Sequence, residues 1–303
     1  MTSLFDRLVV SSLPLVPKAI VKQIASRYVA GETLESALDT MRGLAAEGAM
    51  GTMDVLGESV THRDQTVATR DMYLKTIEAI AASGLPGNIS VKPTAVGLAI
   101  DPALALENCT AICTRAQQHG MFVRLDMEDS PYTESTVKLV LALKERFDVG
   151  AVLQAYLKRS LDDLGRLLEK KVNVRICKGI YVEPPTIAWK DRQTIIRNYS
   201  ALVDKQLAGG ASVAIATHDE ACVQLALATI DRLRVPKDRY EFQMLLGVDP
   251  VLRKSLIAAG HRLRVYIPYG RDWYAYSTRR LKENPSIARH VLRSLAGFGP
   301  AAT

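Results

Sequence analysis

Two groups of residues have types and spacings that could do chemistry. The first closes a series of short apolar runs: Asp54 with Glu58 just beyond it, Lys92, Asp126 with Glu128, Gln154, Arg175 with Lys178, Thr217-His218-Asp219, Gln243 and Tyr266. The second is YSTRRLKEN at 276–284, where Tyr276, Arg280 and Glu283 share one face of a helix and Arg279 lies one residue to its side. Lys92, Arg175 and Lys178 would bring positive charge to one place, matching a bound diphosphate or carboxylate, with Asp126 and Glu58 each able to neutralise one basic group. The same residues could instead satisfy one another as an ion-pair network. The adjacent guanidinium groups of Arg279 and Arg280 form a fork for a planar carboxylate, with Tyr276 as wall or hydrogen-bond donor. A solvated arginine pair on a helix surface is the plainer alternative. His218 either donates to a ligand oxygen or caps the following helix beside Asp219. His62, His119, His261 and His290 lack metal-ligand spacing and read as structural, so no metal site is expected.

These residues need elements to position them. From residue 49 the sequence repeats a short apolar run followed by an amphipathic helix. The runs end near Leu56, Lys92, Asp126, Ala155, Lys178, Thr217, Leu245 and Pro268, and the helices fit at 62–82, 103–119, 133–146, 160–170, 190–208, 219–232, 249–259 and 271–284. Run starts recur about every 30 residues, the size of a βαβ unit. The 303 residues would suit two ordinary domains or one closed barrel. Eight βα units favour an α/β fold of the (βα)8 TIM type over 49–303, with an N-terminal extension, 1–48, read as helical throughout 3–46 and packed on the barrel. A doubly wound open sheet is the rival, but no GxGxxG follows the first run. In a barrel the strand ends form the active-site face. If the arginine pair binds substrate, the final helix must lean over that face, because an ordinary outer helix would carry the pair away.

Composition narrows the function classes. At 48% hydrophobic and 23% charged residues, the chain is a soluble globular protein with a large core. Cys109, Cys113, Cys177 and Cys222 form no CxxC pair and read as reduced thiols. No apolar stretch is long enough for a transmembrane segment and no export signal is evident, so a cytoplasmic location is expected. The net charge of +7 favours anionic ligands or acidic lipid, while its scatter argues against nucleic acid.

The segments MDVLGE at 53–58, ISVK at 89–92, RLDME at 124–128, LQAYLKR at 153–159, RICKGIYVE at 175–183, ATHD at 216–219, EFQMLLG at 241–247, RVYIPYG at 264–270 and YSTRRLKEN at 276–284 resemble, in order and spacing, the proline dehydrogenase family in its monofunctional bacterial form. The resemblance implies a distorted barrel that uses FAD to oxidise L-proline to Δ1-pyrroline-5-carboxylate and passes electrons to a membrane quinone. It also implies peripheral contact with the inner face of the membrane and a separate pyrroline-5-carboxylate dehydrogenase downstream.

The same resemblance implies residue roles. Arg279, Arg280 and Lys92 would clamp the proline carboxylate, and Tyr181, Leu245, Tyr266 and Tyr276 would enclose the ring. Asp126 would hold the local charge network, and Glu58 would pair with Arg279 and gate the pocket. Gln154, Arg175, Lys178, Thr217, His218 and Gln243 would contact FAD, with Arg175 near the flavin N5 edge and Glu283 near the adenosine or ribityl portion. Val182 stands where the family commonly has Trp, and Pro93 where it has an apolar residue. Tyr266 favours proline over 4-hydroxyproline, whose oxidation is the alternative within the resemblance. From the barrel alone, a Schiff-base lyase or aldolase using Lys92 or Lys178, or a non-catalytic binding barrel, also stays open.

Overall fold

The apolar runs become eight parallel strands in the computed structural model, which describes residues 21–22, 25–57, 60–274 and 276–278. They are β1 (Met50–Val55), β2 (Gly87–Val91), β3 (Val123–Leu125), β4 (Val149–Gln154), β5 (Asn173–Cys177), β6 (Val213–Ala216), β7 (Tyr240–Leu245) and β8 (Leu263–Tyr269). Each pairs with its sequence neighbour, and β8 returns to β1 with Tyr266 opposite Thr52, so the sheet closes. The open-sheet alternative is excluded.

The helices are α1 (Leu34–Ala46), α2 (Arg63–Ser83), α3 (Pro102–Gln118), α4 (Ser130–Lys144), α5 (Ser160–Glu169), α6 (Arg192–Ala208), α7 (Glu220–Arg232) and α8 (Pro250–Ala258). Aspartate carboxylates start four of them: Asp101, Asp191, Asp219 and Asp249 accept N–H groups of the first turn. α4 begins three residues before its apolar pattern does, because Pro131 fits the first turn, where no N–H is needed. The segment read as continuously helical over 3–46 is broken. Gly31 has φ +117°, Thr33 caps α1 by accepting the Ser36 N–H at 3.3 Å, and residues 1–20 lie outside the described residues.

Two features make the barrel unlike a regular one. First, its lumen is polar. Arg175 on β5 donates to Ser90 on β2, and Tyr266 on β8 donates to Asp126 beyond β3, so these bonds cross the interior between strands that are not neighbours. Thr52, Asn88, Arg124, Glu241, Gln243 and Arg264 are buried as well, where Val, Ile and Leu usually fill such barrels. Gly150 makes the room: a Cβ there would stand 2.8 Å from Arg124 Nη1 and 2.7 Å from the Asn173 carbonyl oxygen.

Second, α1 occupies the outer position that the eighth barrel helix would ordinarily take. It lies against β1, β8 and α2. Met41 presses on Gly51 and Gly87, whose Cβ atoms, if present, would come within 2.5 and 3.1 Å of its Cε. On the other flank, Arg253 of α8 donates to Glu47 at 2.7 Å. The chain after β8 goes elsewhere: Tyr276 is buried with Leu56, just past the end of β1, and with Val29, and Trp273 packs on this group.

Candidate active site

Side chains from six strands or the residues just beyond them converge on one buried network. The Lys92 ammonium is paired with the Asp54 carboxylate and donates to the Tyr266 hydroxyl at 3.2 Å. That hydroxyl in turn donates to Asp126 Oδ2 at 2.7 Å, while Arg175 Nη1 donates to Asp126 Oδ1 at 2.7 Å. Arg175 also donates through Nη2 to Ser90 at 2.8 Å and through Nε to the Gln243 side-chain carbonyl. Burial, reinforced by the Asp126 and Asp54 anions, pushes the Tyr266 phenol well above its ordinary value, so it remains a donor. Two cations and two carboxylates balance here, and each is low enough in exposure that removing one partner costs about 3–5 kcal/mol.

Around this network, side chains lace the loops to one another. Glu128 accepts both the N–H and the hydroxyl of Thr94, at 2.8 and 2.5 Å, holding the loop after β3 to the turn after β2. Gln154 donates to the Glu128 carbonyl and accepts the Ile180 N–H, reaching the loop after β5. Glu183 accepts the N–H and hydroxyl of Ser130 at 2.6 and 2.7 Å, so the Tyr181 loop closes the first turn of α4. Asp219 accepts from Lys178 and Arg192, both at 2.8 Å. His218 Nε2 accepts the Leu245 N–H at 2.9 Å, which places the ring proton on Nδ1. Helix capping falls to Asp219, not to His218.

This arrangement of a polar lumen and laced strand ends coincides with a sequence match. A family profile described as "Proline dehydrogenase" covers residues 37–293. The chain belongs to the proline dehydrogenase family. A Deinococcus radiodurans protein named Proline dehydrogenase is 39% identical over 278 residues, covering 90% of each chain. Proline dehydrogenase 1 of Bacillus subtilis is 36% identical over 272 residues, covering 89% of this chain and 90% of that one. Among solved structures, proline utilization A from Bdellovibrio bacteriovorus, inactivated by N-propargylglycine, shares the fold with a TM-score of 0.81 at 22% identity. That match covers 90% of this chain, which spans 34% of the larger one.

Within this proline dehydrogenase family member, the structure brings Lys92, Asp126, Arg175, Gln243 and Tyr266 into one hydrogen-bonded group. Gln154, Lys178, Thr217, His218 and Leu245 stand at or just beyond the strand ends, Tyr181 follows β5, and Tyr276 is buried beside Leu56. Glu58, Arg279, Arg280 and Glu283 lie outside the described residues. Lys92, Arg175 and Lys178 do not form an open positive cluster, because Asp54, Asp126 and Asp219 each take one of them. Such ion-paired ammonium groups are the opposite of the neutral amine that Schiff-base chemistry needs. Sequence reasoning gave no role to Asp54, Ser90, Glu241 or Glu183. For the first three the signal was the two-residue period, which puts Asp54 on the row of Thr52, Ser90 on that of Lys92, and Glu241 on that of Gln243. Pro93 opens the short helical turn Thr94–Val96, and Val182 is 91% exposed.

A flavin dinucleotide carries a diphosphate and a hydrogen-bonding heteroaromatic edge, and the donor set fits it. Lys178 has a half-exposed ammonium that uses one of its three N–H bonds on Asp219. Arg175 commits three of its five N–H bonds within the protein. The Gln154 amide, the Thr217 hydroxyl and the His218 imidazole complete the set.

Proposed function

We propose that this protein oxidises L-proline to Δ1-pyrroline-5-carboxylate, with FAD as cofactor and a membrane quinone as the electron acceptor. The observation that carries this reading is the buried Lys92–Tyr266–Asp126–Arg175 chain at the strand ends of a barrel of this family. Bound FAD supplies the hydride acceptor, and orientation and charge are left to the protein. Gln154, Arg175, Lys178, Thr217, His218, Gln243 and Glu283 would hold the cofactor.

Lys92, Arg279 and Arg280 would bind the substrate carboxylate, and Tyr181, Leu245, Tyr266 and Tyr276 would wall the ring, with Glu58 paired to Arg279. Asp126 acts as the charge partner of Arg175 and as acceptor for Tyr266, keeping both groups in one orientation. Tyr266 sits where relatives that oxidise 4-hydroxyproline differ, which supports proline as the substrate. No described helix is long and apolar enough to cross a membrane, and the reading takes electron transfer to occur at a peripheral contact on the cytoplasmic side. The product goes to a separate dehydrogenase for its second oxidation.

The test is the visible spectrum of the purified protein. A yellow protein that bleaches on anaerobic addition of L-proline is expected. A colourless protein, or a yellow one indifferent to proline, overturns the reading.

A further inference from the structure

A second tier of charge lies deeper in the lumen, beneath the network described above. Arg264 grips Glu241 through two bonds, Nε to Oε1 at 2.9 Å and Nη2 to Oε2 at 3.2 Å, and its Nη1 donates to the Gly51 carbonyl at 2.8 Å. Arg262 approaches Glu241 Oε2 from the rim at 3.8 Å. Arg124 is bound to the carbonyls of Ala151 and Asn173 and to the Asn173 side chain. Burial opposes ionisation of Glu241, but Arg264, the Gln243 amide and Arg124 outweigh it and hold the carboxyl down at about 2.

The two tiers meet at Gln243. Its Nε2 donates to Glu241 Oε1 at 2.5 Å, and its Oε1 accepts from Arg175 Nε. A carboxylate can only accept and a guanidinium can only donate, so one amide orientation alone satisfies both neighbours. The reverse orientation would set donor against donor at Arg175 and acceptor against acceptor at Glu241. Gln243 is almost fully buried, so no solvent relieves either clash.

We propose that Glu241 is a positioning residue for the reaction, whose carboxylate fixes the Gln243 amide and through it the plane in which the Arg175 guanidinium is presented to the cofactor. The proposal rests on the functional reading above. Glu241 itself touches neither cofactor nor substrate. Its influence passes through two hydrogen bonds, and Arg264 supplies the counter-charge that keeps it ionised in the interior.

Replacing Glu241 alone strands Arg264, so the main test is the neutral pair Glu241→Gln with Arg264→Gln, which keeps the net charge of the lumen while releasing the constraint on Gln243. The apoprotein of this variant is expected to bind FAD about tenfold more weakly, the worth of roughly one buried hydrogen bond, and kcat is expected to fall about tenfold. KM for proline should stay within about twofold, since the carboxylate-binding residues are untouched. Gln243→Met should show the same split. Glu241→Asp keeps the charge but withdraws the carboxylate from the amide, and it serves as the second variant if the pair replacement does not fold, with the same losses expected. Native FAD affinity and kcat in whichever of these folds overturn the positioning role. Wild-type protein that does not bleach with proline overturns instead the functional reading on which it rests.

Discussion

At the scale of single residues, Tyr266 does more than line a cavity. Its hydroxyl joins Lys92 to Asp126 and thereby links the two ion pairs of the upper lumen. Tyr266→Phe leaves an Asp126 oxygen without its donor and is expected to cost about 1–3 kcal/mol in urea unfolding. Arg280→Met removes half of the proposed carboxylate fork and should raise KM for proline by about two orders of magnitude, with FAD retained, as read by steady-state kinetics and the visible spectrum. Acid should act through Glu241. Its folded pKa of about 2 lies below the ordinary 4.5, so its contribution, roughly 3 kcal/mol, is complete above pH 4.5 and is lost as pH falls toward 2. Denaturant midpoints measured between these limits should show that decline, and the Glu241→Gln/Arg264→Gln pair should lack it. Lys92, Asp126, Arg175, Gln243 and Tyr266 were legible in the sequence because a polar residue closing an apolar strand is conspicuous. Asp54 was conspicuous in the same way but received no role, while Glu241 and Arg124 were missed, since they stand toward the start of their strands, where only the row facing the lumen reveals them.

At the scale of elements, the loops at the strand ends are fixed less by backbone pairing than by side chains reaching from one loop to the next. Glu183 is the clearest case, holding the segment with Tyr181 against the start of α4. Glu183→Ala should lose about 1–3 kcal/mol and make residues 178–191 more susceptible to limited proteolysis, with the cleavage sites read by mass spectrometry. The strands were legible because apolar runs recurred at a regular interval, and most helix starts because aspartate or proline marked them. The break before α1 was missed. Its signals, Gly31 and Thr33, are two small residues inside a stretch whose apolar spacing continues on both sides. Periodicity registers faces, and a tight turn between two helices with compatible faces leaves little trace in it.

At the scale of the molecule, α1 takes the outer place that a regular barrel would give to a helix after β8. With α1 seated over β8 and β1, Trp273 and Tyr276 are able to pack at the strand ends. This is the direction in which the proposed arginine clamp would have to lie. The seat is tight because Gly51 and Gly87 leave room for Met41 alone. Met41→Ala should open a cavity and cost about 2–5 kcal/mol by chemical denaturation. Sequence reading identified α1 as amphipathic but could not say which vacancy it fills, because an apolar stripe records that a helix is covered and not by what.

The same seam constrains how the protein is made. The Ala30 N–H bonds to the Pro268 carbonyl at 2.9 Å, and Glu47 meets Arg253 at 2.7 Å, so the residues flanking α1 complete their contacts only with the last-synthesised fifth of the described chain. Until β8 emerges from the ribosome, the edge of β1 that β8 will pair stays bare, an adhesive surface on a nascent chain. Closure of so long a loop is slow. Yield in the cell should therefore depend on chaperone supply more than the finished barrel's stability would suggest.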